Sequence, residues 1–316
     1  MACRWTRVGV CALLIAEAAI AQSKNHVRAG DAVASARHAI GLVEAGRCEQ
    51  ALPALVAATP HLSDKQLKYQ AGMAKARCAM ALNQENTAVE ALLELKRDFA
   101  SDPEVLYIST HYYSELAERV SQELAAKAPQ SVQARRLEAE AFEAQGKWDE
   151  AAGIYRGILE QNPQTPGVHY HLGQVLLSKA GSSGSTDEAK SEFQKELQVD
   201  PHNAASEFVL GELARRTGDW GEAAARFASA TKLDQGFVEA YLALGMSLAS
   251  RGDYAQAVTP LENYVKLQPA DPAGHYQLAI AYARTGNRAG AARETALQKQ
   301  LAARGAESRN SEGTRH

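Results

Sequence analysis

The chain has 316 residues, a formal net charge of −3, and 46% hydrophobic, 6% aromatic and 22% charged residues. This balance excludes global disorder, because disordered chains combine low hydrophobicity with high net charge. The slightly acidic charge, without a basic cluster, argues against a nucleic-acid arm or a polybasic membrane patch. There is also no run of about 20 apolar residues that would cross a bilayer. We therefore expect neither a nucleic-acid partner nor stable membrane insertion.

Residues 1–21 have the pattern of a secretory signal peptide. Two arginines precede a short apolar run, and the segment ends in a small-residue Ala-Ile-Ala cleavage site. Glu17 departs from the pattern, because a charge within the apolar segment weakens insertion. The sequence thus predicts an exported protein, periplasmic or secreted, whose residues 22–30 form a flexible start.

Removal of that segment leaves two cysteines, Cys48 and Cys78. An even number of cysteines in an oxidising compartment allows one disulfide. Closing a loop of about 30 residues would contribute about 3–4 kcal/mol in the chain-entropy account. The alternative is that both cysteines are small core residues that never meet.

A period of 34 residues is the strongest signal in the chain. It is carried by three turn glycines, at Gly218, Gly252 and Gly286. An alanine follows each of these glycines by five residues, and Leu-Gly pairs recur upstream at 172–173, 210–211 and 244–245. Several units close with a proline, at Pro163, Pro201 and Pro269. Because several independent columns keep one period, chance does not explain the pattern.

The spacing within one unit predicts a helical hairpin. One helix face is indicated by the i, i+3, i+4, i+7 spacing of Tyr241, Leu244, Gly245 and Leu248. Gly252 and Asp253 end that helix and begin the next, and Pro269 ends the second helix. A single hairpin cannot bury both of its faces, so neighbouring hairpins must stack.

These columns resemble the tetratricopeptide repeat family, whose 34-residue pattern combines Leu-Gly, aromatic, alanine and proline positions. The resemblance is regular over residues 132–304 and weaker over 31–131, where we expect divergent hairpins. It implies an all-α fold, an α-α superhelix that forms a right-handed solenoid of about eight hairpins. We expect residues 305–316 to be a disordered tail.

Two segments depart from the period. Residues 103–130 lack a glycine turn, so they form either a hairpin bent at Ser114 and Glu115 or one kinked helix. Residues 181–186 are rich in glycine and serine and insert four residues between two helices, where we expect a flexible loop.

No catalytic, cofactor or metal constellation is found in the sequence. His169 and His171 are two residues apart on a predicted helix and so point to different faces, as separate surface and groove histidines. The H-E-x-x-H, P-loop, C-x-x-C and G-x-S-x-G patterns are all missing. The sequence therefore predicts a protein that is not an enzyme and uses no cofactor.

The resemblance also implies a concave surface lined by the first helix of each repeat. Carried onto this chain, the inward positions form what we call the groove set: Tyr107, His111, Arg136, Glu140, Tyr170, Gln174, Phe208, Glu212, Arg215, Leu242, Met246, Tyr276 and Ile280. Apolar anchors beside polar groups suit an extended peptide or a partner helix. The alternative is that the aromatic residues pack only repeat against repeat.

The function predicted first is that of a non-enzymatic, exported scaffold that binds a peptide or partner protein on its concave face. An alternative is a regulatory or substrate-recruiting subunit of an enzyme or of an envelope or secretion assembly machine. A third is a solenoid that binds a glycan or small molecule, which would need a closed pocket with convergent polar groups. The sequence fixes neither the partner nor the oligomeric state.

Overall fold

A computed structural model describes residues 30–179 and 183–313 of the chain. The predicted signal segment 1–21 and most of the predicted flexible start lie outside the described residues. Within them every regular element is a helix, and no described helix has the length and apolarity needed to cross a membrane. The chain divides into two compact units, with the boundary between Glu123 and Leu124.

The first unit contains two helical hairpins, a 3-10 turn (Thr59–His61) and most of a long helix that reaches past the boundary. Its helices are α1 (30–44), α2 (Cys48–Ala58), α3 (Lys65–Ala81), α4 (Glu85–Asp98) and α5 (Pro103–Lys127). Alanines on one face of α1, among them Ala36 and Ala39, are fully buried against Leu55 and Ala71 of the next helices. Small side chains thus allow close helix packing.

Helix α5 settles the alternatives for residues 103–130, because it is one continuous helix of 25 residues. The Asp102 carboxylate begins it by accepting hydrogen bonds from the backbone N–H groups of Glu104, at 3.1 Å, and Val105, at 3.0 Å. Neither glycine nor proline interrupts the helix near Ser114 and Glu115, so nothing there ends the backbone ladder. The described chain therefore has seven hairpins and one unpaired helix.

A disulfide joins the two hairpins of the first unit. Cys48 begins α2 and Cys78 lies in α3, with their sulfurs 1.95 Å and their Cα atoms 5.0 Å apart. Cys78 is fully buried in a cluster with Leu92 and Val105. The alternative that the two cysteines never meet is therefore wrong, although Cys78 is a core residue.

The second unit consists of five hairpins in which each helix packs on the next along the chain. Its helices are α6 (Val132–Ala144), α7 (Trp148–Gln161), α8 (Val168–Ser178), α9 (Ser183–Val199), α10 (Ala204–Arg216), α11 (Trp220–Leu233), α12 (Val238–Ser250), α13 (Tyr254–Leu267), α14 (Pro272–Arg284) and α15 (Arg288–Gly313). This order confirms the all-α fold of stacked hairpins.

The residues that recur with the 34-residue period form the contact between the two helices of a hairpin. Gly245 of α12 lies directly against α13, where an added Cβ would be 2.5 Å from the Leu261 side chain. Leu261 and Ala257 are themselves fully buried. The turn glycine of this hairpin, Gly252, has a φ of +89°, a left-handed conformation that side chains disfavour. The period thus records a close helix crossing followed by a glycine turn.

A polar contact also joins the two helices at one register in four hairpins. It is made by Arg135 with the Gly157 carbonyl, His169 with Glu192, Glu207 with Arg226, and His275 with Glu294. In both histidine pairs Nδ1 lies 2.6–2.7 Å from the carboxylate and Nε2 lies 3.1 Å from a proline carbonyl oxygen. The prediction of separate surface and groove histidines is wrong for His169, which is buried between helices.

Two segments are more helical than the sequence predicts. Helix α15 continues to Gly313, so residues 305–313 are not the expected disordered tail, and residues 314–316 lie outside the described chain. No proline stops this helix, and its alanine, glutamate and arginine residues favour helix strongly enough to offset Gly305. Of the predicted loop 181–186, residues 183–186 already belong to α9, and the rest lies outside the described chain.

Candidate peptide-binding groove

A groove of about 520 Å³ lies in the second unit between helices α10, α12 and α13. We call it the α10–α12 groove. Its apolar surface is formed by Phe208, Val238, Leu242, Ala243 and Met246, and its polar surface by Glu212, Arg215, Glu239, Tyr264 and Gln268. An apolar surface with a few polar groups around it is the usual composition of a ligand site.

The helical register places these side chains together. Phe208, Glu212 and Arg215 are spaced i, i+4, i+7 along α10, and Leu242 and Met246 are spaced i, i+4 along α12. The Phe208 ring is held from behind by two aromatic rings, with centroids 5.4 Å away at Phe227 and 4.8 Å away at Phe237. The apolar surface is therefore supported by packing and does not depend on a ligand.

An ion pair forms one edge of the groove. Arg215 donates from Nε to Glu212 Oε1 at 3.0 Å and from Nη2 to Oε2 at 2.8 Å. This two-pronged contact raises the pKa of the Arg215 guanidinium and neutralises both charges. The exposed Glu239 has no ion pair with any residue in the described part of the chain, so it gives the groove its net negative charge.

Tyr264 closes one end of the groove. Its ring is only 7% exposed, and its hydroxyl donates a hydrogen bond to the Asp271 carboxylate. Burial, which is the larger cause, and the hydrogen bond to Asp271 together raise the pKa of Tyr264 to about 12. The tyrosine therefore stays neutral at physiological pH and presents an uncharged wall to the groove.

The α10–α12 groove brings together five residues of the groove set: Phe208, Glu212, Arg215, Leu242 and Met246. The sequence reasoning missed the remaining lining residues. Glu239 lies three residues before Leu242 on α12, and this i, i+3 spacing places it on the same helix face. Tyr264 and Gln268 follow from no such rule, because they belong to the second helix of the hairpin and its C-terminal end.

Four other members of the groove set lie on α6 and α8, namely Arg136, Glu140, Tyr170 and Gln174. The Gln174 amide donates to the Tyr170 hydroxyl at 2.5 Å. Tyr170 also packs edge-on against the buried Phe193, with ring centroids 5.7 Å apart. This contact lies within one hairpin, since Tyr170 is on α8 and Phe193 is on α9, so it is not the packing of one repeat against another.

The remaining members of the groove set do not line the α10–α12 groove. Tyr276 and Ile280 lie on α14, where Tyr276 is 53% exposed. Tyr107 and His111 lie on α5 and pack against each other, with ring centroids 4.3 Å apart. In the described residues, no group of three histidine, cysteine or acidic side chains is arranged to hold a metal ion.

Two tetratricopeptide repeat family models match the chain, one over residues 132–175 and the other over residues 176–236. Residues 132–236 therefore belong to the tetratricopeptide repeat family. A third model, the bacterial transcriptional activator domain, matches residues 220–305 and so overlaps the last hairpins of this repeat protein. A search of curated proteins returned no match.

Solved structures similar to this repeat protein include a crystal structure of MamA, with 20% identity, 54% of this chain and 96% of that chain covered, and a TM-score of 0.47. Another is YrrB, titled a TPR protein with an unusual peptide-binding site, with 20% identity, 57% and 91% covered, and a TM-score of 0.49. A third is MamA from Desulfovibrio magneticus RS-1, with 17% identity, 54% and 93% covered, and a TM-score of 0.46. Similarity at this level says nothing about what this chain binds.

Proposed function

We propose that this tetratricopeptide repeat protein is a non-enzymatic scaffold that binds an extended peptide segment of a partner protein in the α10–α12 groove. The observation that carries the proposal is the groove itself, an apolar surface between the first helices of two successive hairpins with polar groups at its edges. That the partner is a protein and not a nucleic acid stays a prediction from the net charge of −3.

The lining residues define the chemistry that a bound peptide needs. Phe208, Leu242 and Met246 accept an apolar side chain, whose burial contributes about 1.5–3 kcal/mol. The Gln268 amide is able to donate to and accept from a peptide backbone. Glu239 favours a basic residue next to the apolar anchor, because it is the one charge of the lining that lacks an ion pair in the described residues.

We further propose that the protein is exported to an oxidising compartment, the periplasm or the exterior. Two observations support export: the signal pattern in residues 1–21 and the disulfide between Cys48 and Cys78. Disulfides persist in oxidising compartments and are reduced in most cytosols. Cell fractionation followed by thiol labelling tests this proposal, and free thiols on both cysteines in the native protein would contradict it.

The binding proposal is tested by affinity purification from an envelope extract with a matched pair of variants. Met246→Glu places a charge in the groove, whereas Leu297→Glu changes an equally exposed residue, also 37% accessible, on α15. We expect Met246→Glu to lose the partner that wild type and Leu297→Glu both retain at stoichiometric yield. Equal retention by the two variants would show that the partner does not use this groove.

A further inference from the structure

A second cleft, of about 470 Å³, lies between α11, α12 and α13 and shares no lining residue with the α10–α12 groove. Its polar lining includes Lys232, Gln235, Tyr241, Asn263 and Lys266. We call it the lysine cleft. It contains two ammonium groups and no carboxylate, in a chain whose net charge is negative.

The same position two hairpins earlier holds a comparable cleft, of about 330 Å³, between α7, α8 and α9. In the repeat register, allowing for the four-residue insertion, His169 corresponds to Tyr241 and Lys195 corresponds to Asn263. Glu160 likewise corresponds to Lys232. The two clefts are therefore one architectural site with two different sets of side chains.

The earlier cleft carries two carboxylates, those of Glu160 and Glu192. Glu192 lies 2.6 Å from Lys195 Nζ and 2.6 Å from His169 Nδ1, and it is only 5% exposed. In the repeat register the residue that corresponds to Glu192 is Pro260, next to the lysine cleft. A negative group that the chain supplies in one cleft is thus missing from the other.

The donors of the lysine cleft have no partners in the described residues. Neither Lys232 nor Lys266 forms an ion pair there, and the Tyr241 hydroxyl and the Asn263 amide make no hydrogen bond. A carboxylate entering the cleft would meet two ammonium groups and two neutral donors. Charge-assisted hydrogen bonds of this kind are about twice as strong as those between neutral groups.

We propose that the lysine cleft binds the carboxylates of an acidic peptide segment in a partner protein. Side-chain carboxylates supply the charge that Glu192 supplies in the earlier cleft. The amides of Asn263 and Gln235 also offer oxygen acceptors for peptide N–H groups, which a simple inorganic anion would leave unused. Leu267, 43% exposed at the edge, adds apolar contact for the aliphatic part of a glutamate.

The test uses a fluorescein-labelled peptide of six glutamates, blocked at both ends, and fluorescence anisotropy with the full chain. We expect saturable binding that weakens about tenfold in Lys232→Ala and in Lys266→Ala, because each substitution removes a charged donor. Asn263→Asp should weaken binding similarly by supplying an internal carboxylate. Lys195→Ala, in the earlier cleft, is the matched control and should leave binding unchanged, as should Met246→Glu in the α10–α12 groove.

Three results would overturn the proposal: no saturable binding, equal weakening by Lys195→Ala, or equal binding of a six-glutamine peptide. Displacement of the peptide by inorganic phosphate at the same concentration as by unlabelled peptide would contradict a peptide site as well. Circular dichroism of each variant separates loss of binding from loss of fold. Since Met246→Glu reports on the other groove, failure here is distinguishable from failure of the proposed scaffold function.

Discussion

Single residues in this protein report on how closely its helices approach one another. Gly245 is the sharpest case, because an added Cβ would overlap the Leu261 side chain at 2.5 Å. Gly153, on α7, has nothing within 4 Å of the same built atom. Gly245 thus lies at a close helix contact, whereas the surroundings of Gly153 leave room for a side chain, and substitution distinguishes them.

We expect Gly245→Ala to lower the free energy of unfolding by about 1–3 kcal/mol, since the neighbouring core must shift to admit the methyl group. Gly153→Ala should instead raise stability by up to about 1 kcal/mol, because alanine restricts the unfolded chain and fits the helix. Urea unfolding followed by circular dichroism measures both. A stable Gly245→Ala variant would mean that the helices do not cross closely at this position.

Tyr264 links the groove to a pH effect. Its pKa is raised to about 12 by burial and by Asp271, against 10.0 for an ordinary tyrosine. Because the pKa of Tyr264 is higher in the folded state, the stabilisation from its neutral hydroxyl is fully present below pH 10. This stabilisation is lost as pH rises towards 12. We expect Tyr264→Phe to be less stable than wild type at pH 8, with the difference shrinking as pH rises through this window.

Thermal melts of the two proteins between pH 8 and pH 11.5 measure that difference. An ordinary tyrosine titrates near pH 10, so only the comparison between wild type and variant isolates Tyr264. A difference that does not change with pH would show that the phenol of Tyr264 is not in the buried contact with Asp271.

At the scale of single elements, the contact between the two helices of a hairpin is both apolar and polar. His275 has Glu294 on one ring nitrogen and the Pro269 carbonyl on the other, and both side chains are buried. Removing the ring leaves two acceptors without their donor inside the hairpin. The cost of such orphaned groups exceeds the mean value of the bonds themselves.

We therefore expect His275→Ala to destabilise the last hairpin by about 2–4 kcal/mol, from lost hydrogen bonds and lost packing. Arg293→Ala, which removes the exposed partner of the same carboxylate, should cost less than about 1 kcal/mol. Hydrogen exchange along α14 and α15 measures the local effect. Equal effects of the two substitutions would show that the buried ring adds nothing beyond the surface ion pair.

The sequence predicts the regular hairpins well because each of their boundaries carries a local signal. In one hairpin the turn is marked by Gly252, whose positive φ favours glycine, and the end of the second helix is followed by Pro269. Helix α5 has no such signal inside it, and the sequence alone left its form open. The sequence analysis does not predict the extension of α15 past residue 304 either, because it interprets the helix-favouring residues 305–313 as a disordered tail.

The candidate site was only partly predictable. The repeat register indicates which side chains of the first helix of each repeat point inward, but it gives no such information for the second helix. Phe208 and Met246 follow from position alone. Tyr264 enters the groove from α13. The lysine cleft depends on a comparison of two hairpins, since the loss of a carboxylate at Pro260 has meaning only beside Glu192.

At the scale of the whole molecule, the two units differ in what stabilises them. The first unit has a covalent link between Cys48 and Cys78, 30 residues apart, whereas the second depends on packing between successive hairpins. A closed loop of this length limits the unfolded chain and contributes about 3–4 kcal/mol in the chain-entropy account. The consequence of reduction should therefore be confined to one unit.

We expect the double variant Cys48→Ala, Cys78→Ala to exchange amide hydrogens faster in α2 and α3 and at unchanged rates in α10 to α13. Hydrogen exchange with mass spectrometry, on the full chain, resolves the two regions. The wild type treated with reductant should behave like the variant. Faster exchange throughout the chain would show that the stability of the two units is not separable.

The polar contact that recurs at one register has a consequence for how a chain of similar hairpins avoids assembling in the wrong order. Its partners differ from hairpin to hairpin: a histidine faces Glu192 in one, and Glu207 faces an arginine in the next. If α9 took the place of α11 beside α10, Glu192 would meet Glu207 and two carboxylates would lie side by side. This particular mispairing is thus penalised by like charge.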